Sequence, residues 1–210
     1  MKKIVFILLV MTCVNCSSVK ETYSDGPYNI DEVLTEINDY LQMVKNLESI
    51  KPSDSANAIA LKKRKHEGKI LEFNNFIKVF KELHDINYND DHSIAIVYHH
   101  GQNQCAATGT RDRTIIRKKY GKLKKGLEIL NQTKLYYLFD NDSGLSRYED
   151  IIPWKKDSLG FIKDLLISEE SPCGSFVVIS QSGEYLVSNG EWSIANIWAT
   201  ANYLNMQNDH

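Results

Sequence analysis

Ser93-Ile94-Ala95-Ile96-Val97-Tyr98-His99 is the stretch on which the fold turns. Successive side chains of an extended chain point to opposite faces, so Ile94, Ile96 and Tyr98 share one face and Ala95 and Val97 the other. Both faces are apolar, which predicts a buried central strand with cover on each side. Lys134 to Asp140, carrying Leu135, Tyr136, Tyr137, Leu138 and Phe139, is a second strand of the same kind. Phe176 to Ser180 and Tyr185 to Ser188 read as a hairpin joined at Gln181-Ser182-Gly183-Glu184. A further short strand is expected around Cys105.

The flanking segments change period. Ile30, Val33, Leu34, Ile37, Leu41, Val44 and Leu47 recur at helical spacing after the capping pair Asn29 and Glu32. That helix is expected to run to about Ile50, where Lys51-Pro52 stops it. A second helical region follows Ser53, with the basic run Lys62, Lys63, Arg64 and Lys65 and a break at Gly68. It continues into an amphipathic stripe of Ile70, Phe73, Phe76, Ile77, Phe80 and Leu83. A basic helix is expected from Lys118 to Leu130, and a short one after Pro153-Trp154 through Leu159, Ile162, Leu165 and Leu166. Ile194, Ile197, Trp198, Ala201 and Leu204 mark the last. The expected fold class is α+β: an N-terminal helical pair followed by a mostly antiparallel sheet with flanking helices. The expected domain is single and spans 29–208.

The chain opens differently. Lys2 and Lys3 precede an apolar run from Ile4 to Met11, about half of the roughly 20 residues that cross a bilayer. This pattern fits a secretory signal over 1–16, with a polar tether over 17–28. Cys13 and Cys16 stand where the run ends, and the segment resembles a bacterial lipoprotein signal. The resemblance implies acylation of a cysteine that becomes the new N-terminus. Cys16 is the expected site because Ser17, Ser18 and a polar stretch follow it. Neither cysteine is preceded by the Leu-small-Gly/Ala triplet of the best matches, and ordinary cleavage after Cys16 or Ser18 is the alternative. The expected address is therefore the cell envelope, lipid-anchored or periplasmic. In that oxidising setting Cys105 and Cys173 are expected to pair.

Apolar residues make up 42% and aromatic residues 10% of the 210, as in a globular protein with a real core. Taking Lys2 and Lys3 from the 25 basic residues leaves 23 against 27 acids, a net charge of about −4. A mildly acidic chain gives no global reason to bind nucleic acid. One segment is locally basic: Arg111, Arg113, Arg117, Lys118, Lys119, Lys122, Lys124 and Lys125, with Tyr120 among them. Arg117, Lys118, Lys119, Lys122, Lys124 and Lys125 are the candidate partner-binding residues. Their expected partner is an acidic protein or an anionic envelope polymer; a solvated helix face offset by acids such as Glu169 and Glu170 is the plainer reading.

Chemistry-bearing motifs are sparse. His92, His99 and His100 lie near Asp90 and Asp91, but on a strand His99 and His100 point to opposite faces and cannot share a metal. Cys105 with His99 or His100 has the residue types of a thiol hydrolase without its local signature. Asp140-Asn141-Asp142-Ser143-Gly144 begins like a calcium loop, yet its glycine is fifth and its twelfth residue is Ile151, so a turn is expected. No phosphate-binding loop, cofactor motif or zinc-protease motif occurs. The leading expectation is a non-enzymatic, exported protein that binds a partner, an immunity protein against a toxin being one version. The alternative is a cysteine-dependent hydrolase of an envelope polymer.

Overall fold

A computed structural model describes residues 29–48, 65–88, 91–101, 109–130, 133–167, 174–190 and 192–208. The leader and tether, Cys13, Cys16, Cys105, Cys173, Lys62 to Arg64, Lys51-Pro52, Asp90, Glu169 and Glu170 lie outside the described residues, as does the strand expected around Cys105.

Among the described residues, five α-helices and a six-stranded sheet make a mixed α+β fold. In chain order these are α1 (Ile30–Glu48), β1 (Lys65–Lys69), α2 (Phe73–His84), β2 (Ile94–His99), α3 (Arg113–Ile129) and β3 (Lys134–Phe139). Then come β4 (Lys155–Lys156), α4 (Phe161–Leu166), β5 (Ser175–Ile179), β6 (Glu184–Asn189) and α5 (Ile194–Asn208). The strand order is β1-β6-β5-β2-β3-β4. The pairs from β1 to β2 are antiparallel. β2–β3 and β3–β4 are parallel. A parallel pair needs a long crossover, and α3 supplies it for β2 and β3.

β2 is central and its faces divide as its alternation requires. Ala95 and Val97 join Phe176, Val178 and Tyr137 in one core, under α1, α3 and α5. Ile94, Ile96 and Tyr98 join Val177, Ile179 and Leu138 in the other, under α2 and α4. Burying both faces of four- to six-residue strands at about 25 cal/mol per Å² is the main stabilising contribution.

The second helical region differs from expectation in its first part. Lys65–Lys69 is an edge strand paired with β6, with Lys65 opposite Ser188 and Lys69 opposite Glu184. Gly68 explains it locally: a Cβ there would lie 2.7 Å from the Tyr185 hydroxyl oxygen. The charged Lys65, Glu67 and Lys69 suit an unpaired edge. The phenylalanine stripe then forms α2, with Phe73, Phe76 and Phe80 stacked at centroid spacings of 6.1 and 5.7 Å and Phe161 of α4 added at 5.4 Å from Phe76.

The basic helix begins five residues earlier than expected. Asp112 caps it, its carboxylate accepting from the Thr114 and Ile115 amides at 2.8 and 3.3 Å. Gly126 lets α5 approach α3: a Cβ there would meet the Trp198 ring at 2.1 Å. The Trp198 indole N–H donates to Leu123 O at 3.1 Å. In α1, Val33 and Ile37 are buried while Ile30, Leu34 and Leu41 are exposed, so the helix docks by one narrow edge. Leu159 also leaves its expected place, 88% exposed at φ 61°.

Candidate functional site

Asp140 to Gly144 is the expected turn, closed by the Ser143 amide donating to Asn141 Oδ1 at 2.8 Å. It receives His99, whose Nε2 lies 2.8 Å from Ser143 O and whose ring meets Trp154 at 5.9 Å. Burial holds His99 below the ordinary histidine range, and the Arg147 charge acts in the same direction. His100 goes to the other side, with Nε2 3.0 Å from Ser175 Oγ and its ring 5.0 Å from Tyr98. The two histidines therefore diverge. Ser175 is fully buried and its hydroxyl donates to Asn189 Oδ1 at 2.7 Å, so its single proton is already engaged. A Ser175–His100 nucleophile is excluded by that bond. His92 pairs with Asp91.

A buried polar cluster that sequence reading missed sits under α4. Asp157 accepts from His84 Nε2 at 3.1 Å and from the Tyr98 hydroxyl at 3.0 Å. It also accepts from the Ile162 and Lys163 amides at 3.1 and 3.0 Å. His84 Nδ1 faces Phe80 O at 3.0 Å, so the ring meets an acceptor at each nitrogen. Burial pushes the Asp157 carboxyl up, but the bonds from His84, the two amides and Tyr98 outweigh it and hold it below the ordinary carboxylate range. Burial beside Asp157 pushes the Tyr98 phenol up. Both side chains of the His84–Asp157 pair are wholly inaccessible, so the cluster fastens α2, β2 and α4 together and offers no surface for a substrate.

The basic segment separates into two sets. Lys122 is half-buried, bonded to Glu36 of α1 and placed 5.6 Å from the Trp198 ring. Lys124 and Lys125 are half-buried on the same helix. Lys122 thus faces inward, toward α1 and α5. Arg111, Arg113, Arg117, Lys118 and Lys119 are exposed. Arg111, Arg117 and Lys118 form no ion pair among the described residues.

Beside the exposed set lies an aromatic cluster at the carboxyl end of β2 and β3. Tyr120 is its hub, with ring centroids 5.6 Å from Tyr137, 5.8 Å from Tyr148 and 6.5 Å from Trp192. Trp154 closes the group at 5.4 Å from Tyr137 and 6.2 Å from Tyr148. Burial pushes the Tyr120 phenol up, with the bonded Tyr148 adding to it. Two cations stand over these rings. Lys119 stands 5.1 Å from the Trp192 ring and Arg147 5.7 Å from the Tyr148 ring. Arg147 Nη1 donates to Gly109 O at 3.0 Å, and Arg113 Nη2 donates to Glu149 O at 3.0 Å. Tyr148, Trp154 and Trp192 stay half-buried. In ordered α/β sheets the carboxyl ends of parallel strands are where ligands gather.

On the opposite face an open groove of about 410 Å³ runs between α2 and α4, lined by Leu71, Phe76, Val79, Phe161 and Leu165. Lys69, Glu72, Asn75 and Tyr185 also line it, and Asn75 Nδ2 donates to Glu72 Oε2 at 2.8 Å. Among the described residues no group of three or more histidine, cysteine or acidic side chains could hold a metal ion. No helix among them is long and apolar enough to cross a membrane. No protein-family model and no curated protein matches the chain.

Proposed function

We propose that this chain is an exported, lipid-anchored envelope protein that acts by binding an acidic protein, in the manner of an immunity protein that occupies a toxin. The observation that carries the reading is the placement of Lys119 and Arg147 over the half-buried Trp192 and Tyr148 rings. Tyr, Trp and Arg are enriched where protein interfaces concentrate their binding energy. Arg111, Arg117 and Lys118 add the long-range attraction that raises association rates. Export is supported by the Lys2-Lys3 pair and the apolar Ile4 to Met11 run. Retention needs more than one acyl chain, since a single chain binds a bilayer only reversibly.

The pairing of Cys105 with Cys173 belongs to the same reading. Tyr98 of β2 stands opposite Ser175 of β5. The chain leading to Cys105 thus departs, and the chain from Cys173 arrives, at one end of adjacent strands. A bridge closing about 70 residues contributes roughly 4 kcal/mol in the chain-entropy model.

Mass spectrometry of the purified product tests the address: a mature N-terminus at an acylated Cys16 is expected. An intact Met1 with unmodified Cys13 and Cys16 removes it. Thiol labelling of the native, non-reduced chain tests the chemistry. A sulfur linked to Cys173 and unreactive at Cys105 is expected, whereas rapid labelling of Cys105 turns the reading toward a thiol hydrolase.

A further inference from the structure

We infer that the chain associates with itself head to tail, the acidic outer flank of α1 in one copy lying on the basic first half of α3 in another. The exposed flank of α1 carries Ile30, Leu34 and Leu41, whose spacing sets them on one side of the helix. Asp31, Glu32, Glu36 and Asp39 accompany them, and no Lys or Arg occurs from Ile30 to Val44. Glu32 accepts from the Asn29 amide and Glu36 bonds Lys122. Asp31 and Asp39 are exposed and form no ion pair among the described residues. The first half of α3 is the counterpart. Ile115 is 53% exposed there, with the exposed Lys118 three positions on and Arg111 and Arg117 close in sequence. Asp112, the acid among them, is engaged in capping the Thr114 and Ile115 amides.

Charge sign selects the pairing. A contact of α1 with α1 sets Asp31 and Asp39 against acids, and one of α3 with α3 sets Arg117 and Lys118 against bases, both unfavourable. Only α1 on α3 matches opposite charges while covering Ile30, Leu34 and Leu41 with Ile115. A single chain already makes this kind of contact once, where Glu36 of α1 meets Lys122 of α3. A polyanionic glycan answers the α3 charges but leaves the α1 stripe uncovered, whereas a second copy answers both surfaces. Two different faces make a heterologous contact, so copies close into a ring or extend as a chain. This inference does not rest on the partner-binding reading. An acidic partner that takes Arg111, Arg117 and Lys118 would compete with the second copy.

The test is sedimentation velocity of the purified full chain from about 10 µM to about 1 mM, the range in which small contacts dissociate. The wild type is expected to shift to dimers and larger species as concentration rises, and to shift less at about 0.5 M salt. Leu34→Asp and Ile115→Asp should each weaken association about tenfold. Their equimolar mixture should recover a heterodimer and nothing larger, because each supplies the face the other lacks. Asp39→Lys and Lys118→Asp should each weaken association, and the two exchanges in one chain should restore it. A wild type that stays monomeric up to about 1 mM overturns the inference. So does association that neither Leu34→Asp nor Ile115→Asp weakens, as adhesion through the Ile4 to Met11 run would give. A mixture that stays monomeric, while both variants keep the wild-type far-UV circular dichroism, overturns it too. If either variant loses that spectrum, the charge exchange decides, and failure of the double exchange to restore association overturns the inference.

Discussion

The two faces of the sheet carry aromatic clusters of opposite character. Under α2 and α4 the stacked rings are phenylalanines, Phe73, Phe76, Phe80 and Phe161, with Tyr136 edge-on to Phe80 at 5.5 Å and His84 tilted against it at 5.0 Å. The neighbouring polar groups, His84, Asp157 and Tyr98, satisfy one another completely and are sealed from solvent. Under and beside α3 the rings are mostly tyrosines and tryptophans; Tyr120 and Tyr137 are buried, Tyr148, Trp154 and Trp192 are half-buried, and Lys119 and Arg147 stand over Trp192 and Tyr148. A phenyl ring can only be buried to advantage. A phenol or indole keeps one end wet, so a surface built from them stays available to a partner. One face thus seals its rings inside the fold, while the other leaves Tyr148, Trp154 and Trp192 half-buried at the surface.

That contrast breaks most sharply at Phe80. Its fully buried ring contacts Phe76, His84 and Tyr136, and Phe80→Ala is expected to cost about 3–5 kcal/mol in denaturant unfolding. Asp157→Ala should cost a similar amount, about 3–5 kcal/mol, because His84 Nε2, the Tyr98 hydroxyl and the α4 amides all lose their buried partner. A loss under about 1 kcal/mol would mean that water replaces the carboxylate and that this face is not sealed.

The same residue sets a pH dependence. Asp157 titrates below its ordinary range in the folded chain, so its contribution is present above about pH 4 and falls away as pH drops through the depressed folded value. Urea midpoints measured from pH 6 to pH 2 should show this slope in the wild type and lose most of it in Asp157→Asn.

Smaller effects belong to the other face. Gly126→Ala places a methyl against Trp198 and should destabilise by about 1–3 kcal/mol, chiefly by pushing α5 away from α3. Tyr148→Phe removes the hydrogen bond to Tyr120 at a half-exposed site and should cost only about 1 kcal/mol. If Tyr148→Phe proved as damaging as Phe80→Ala, the wet face would be as structural as the dry one, and the division drawn here would fail.

Much of the secondary structure was legible because it rests on short-range spacing. The alternation in Ile94 to Tyr98, the Gly183 hairpin turn and the Ile197-Trp198-Ala201-Leu204 stripe all appear where their periods put them. The early start of α3 was not read from the sequence: Asp112 caps it, but Ile115 stands three positions on, where a capping box would carry Glu or Gln. Nor was Lys65–Lys69. Five residues alternating charge with His66 and Gly68 have no apolar face, and only β6, more than a hundred positions later, makes them a strand.

By itself, then, the chain's local chemistry determined which segments are strands and helices, that β2 is central, and that positive charge gathers on one helix. Tertiary structure alone decided which of those charges are engaged internally, as Lys122 is with Glu36, and which face outward. It alone joined His84 to Asp157 across 73 positions. Periodicity is written in neighbours a few residues apart, whereas the partner of a buried charge is whatever the folded chain brings within about 3 Å, and no spacing rule records that.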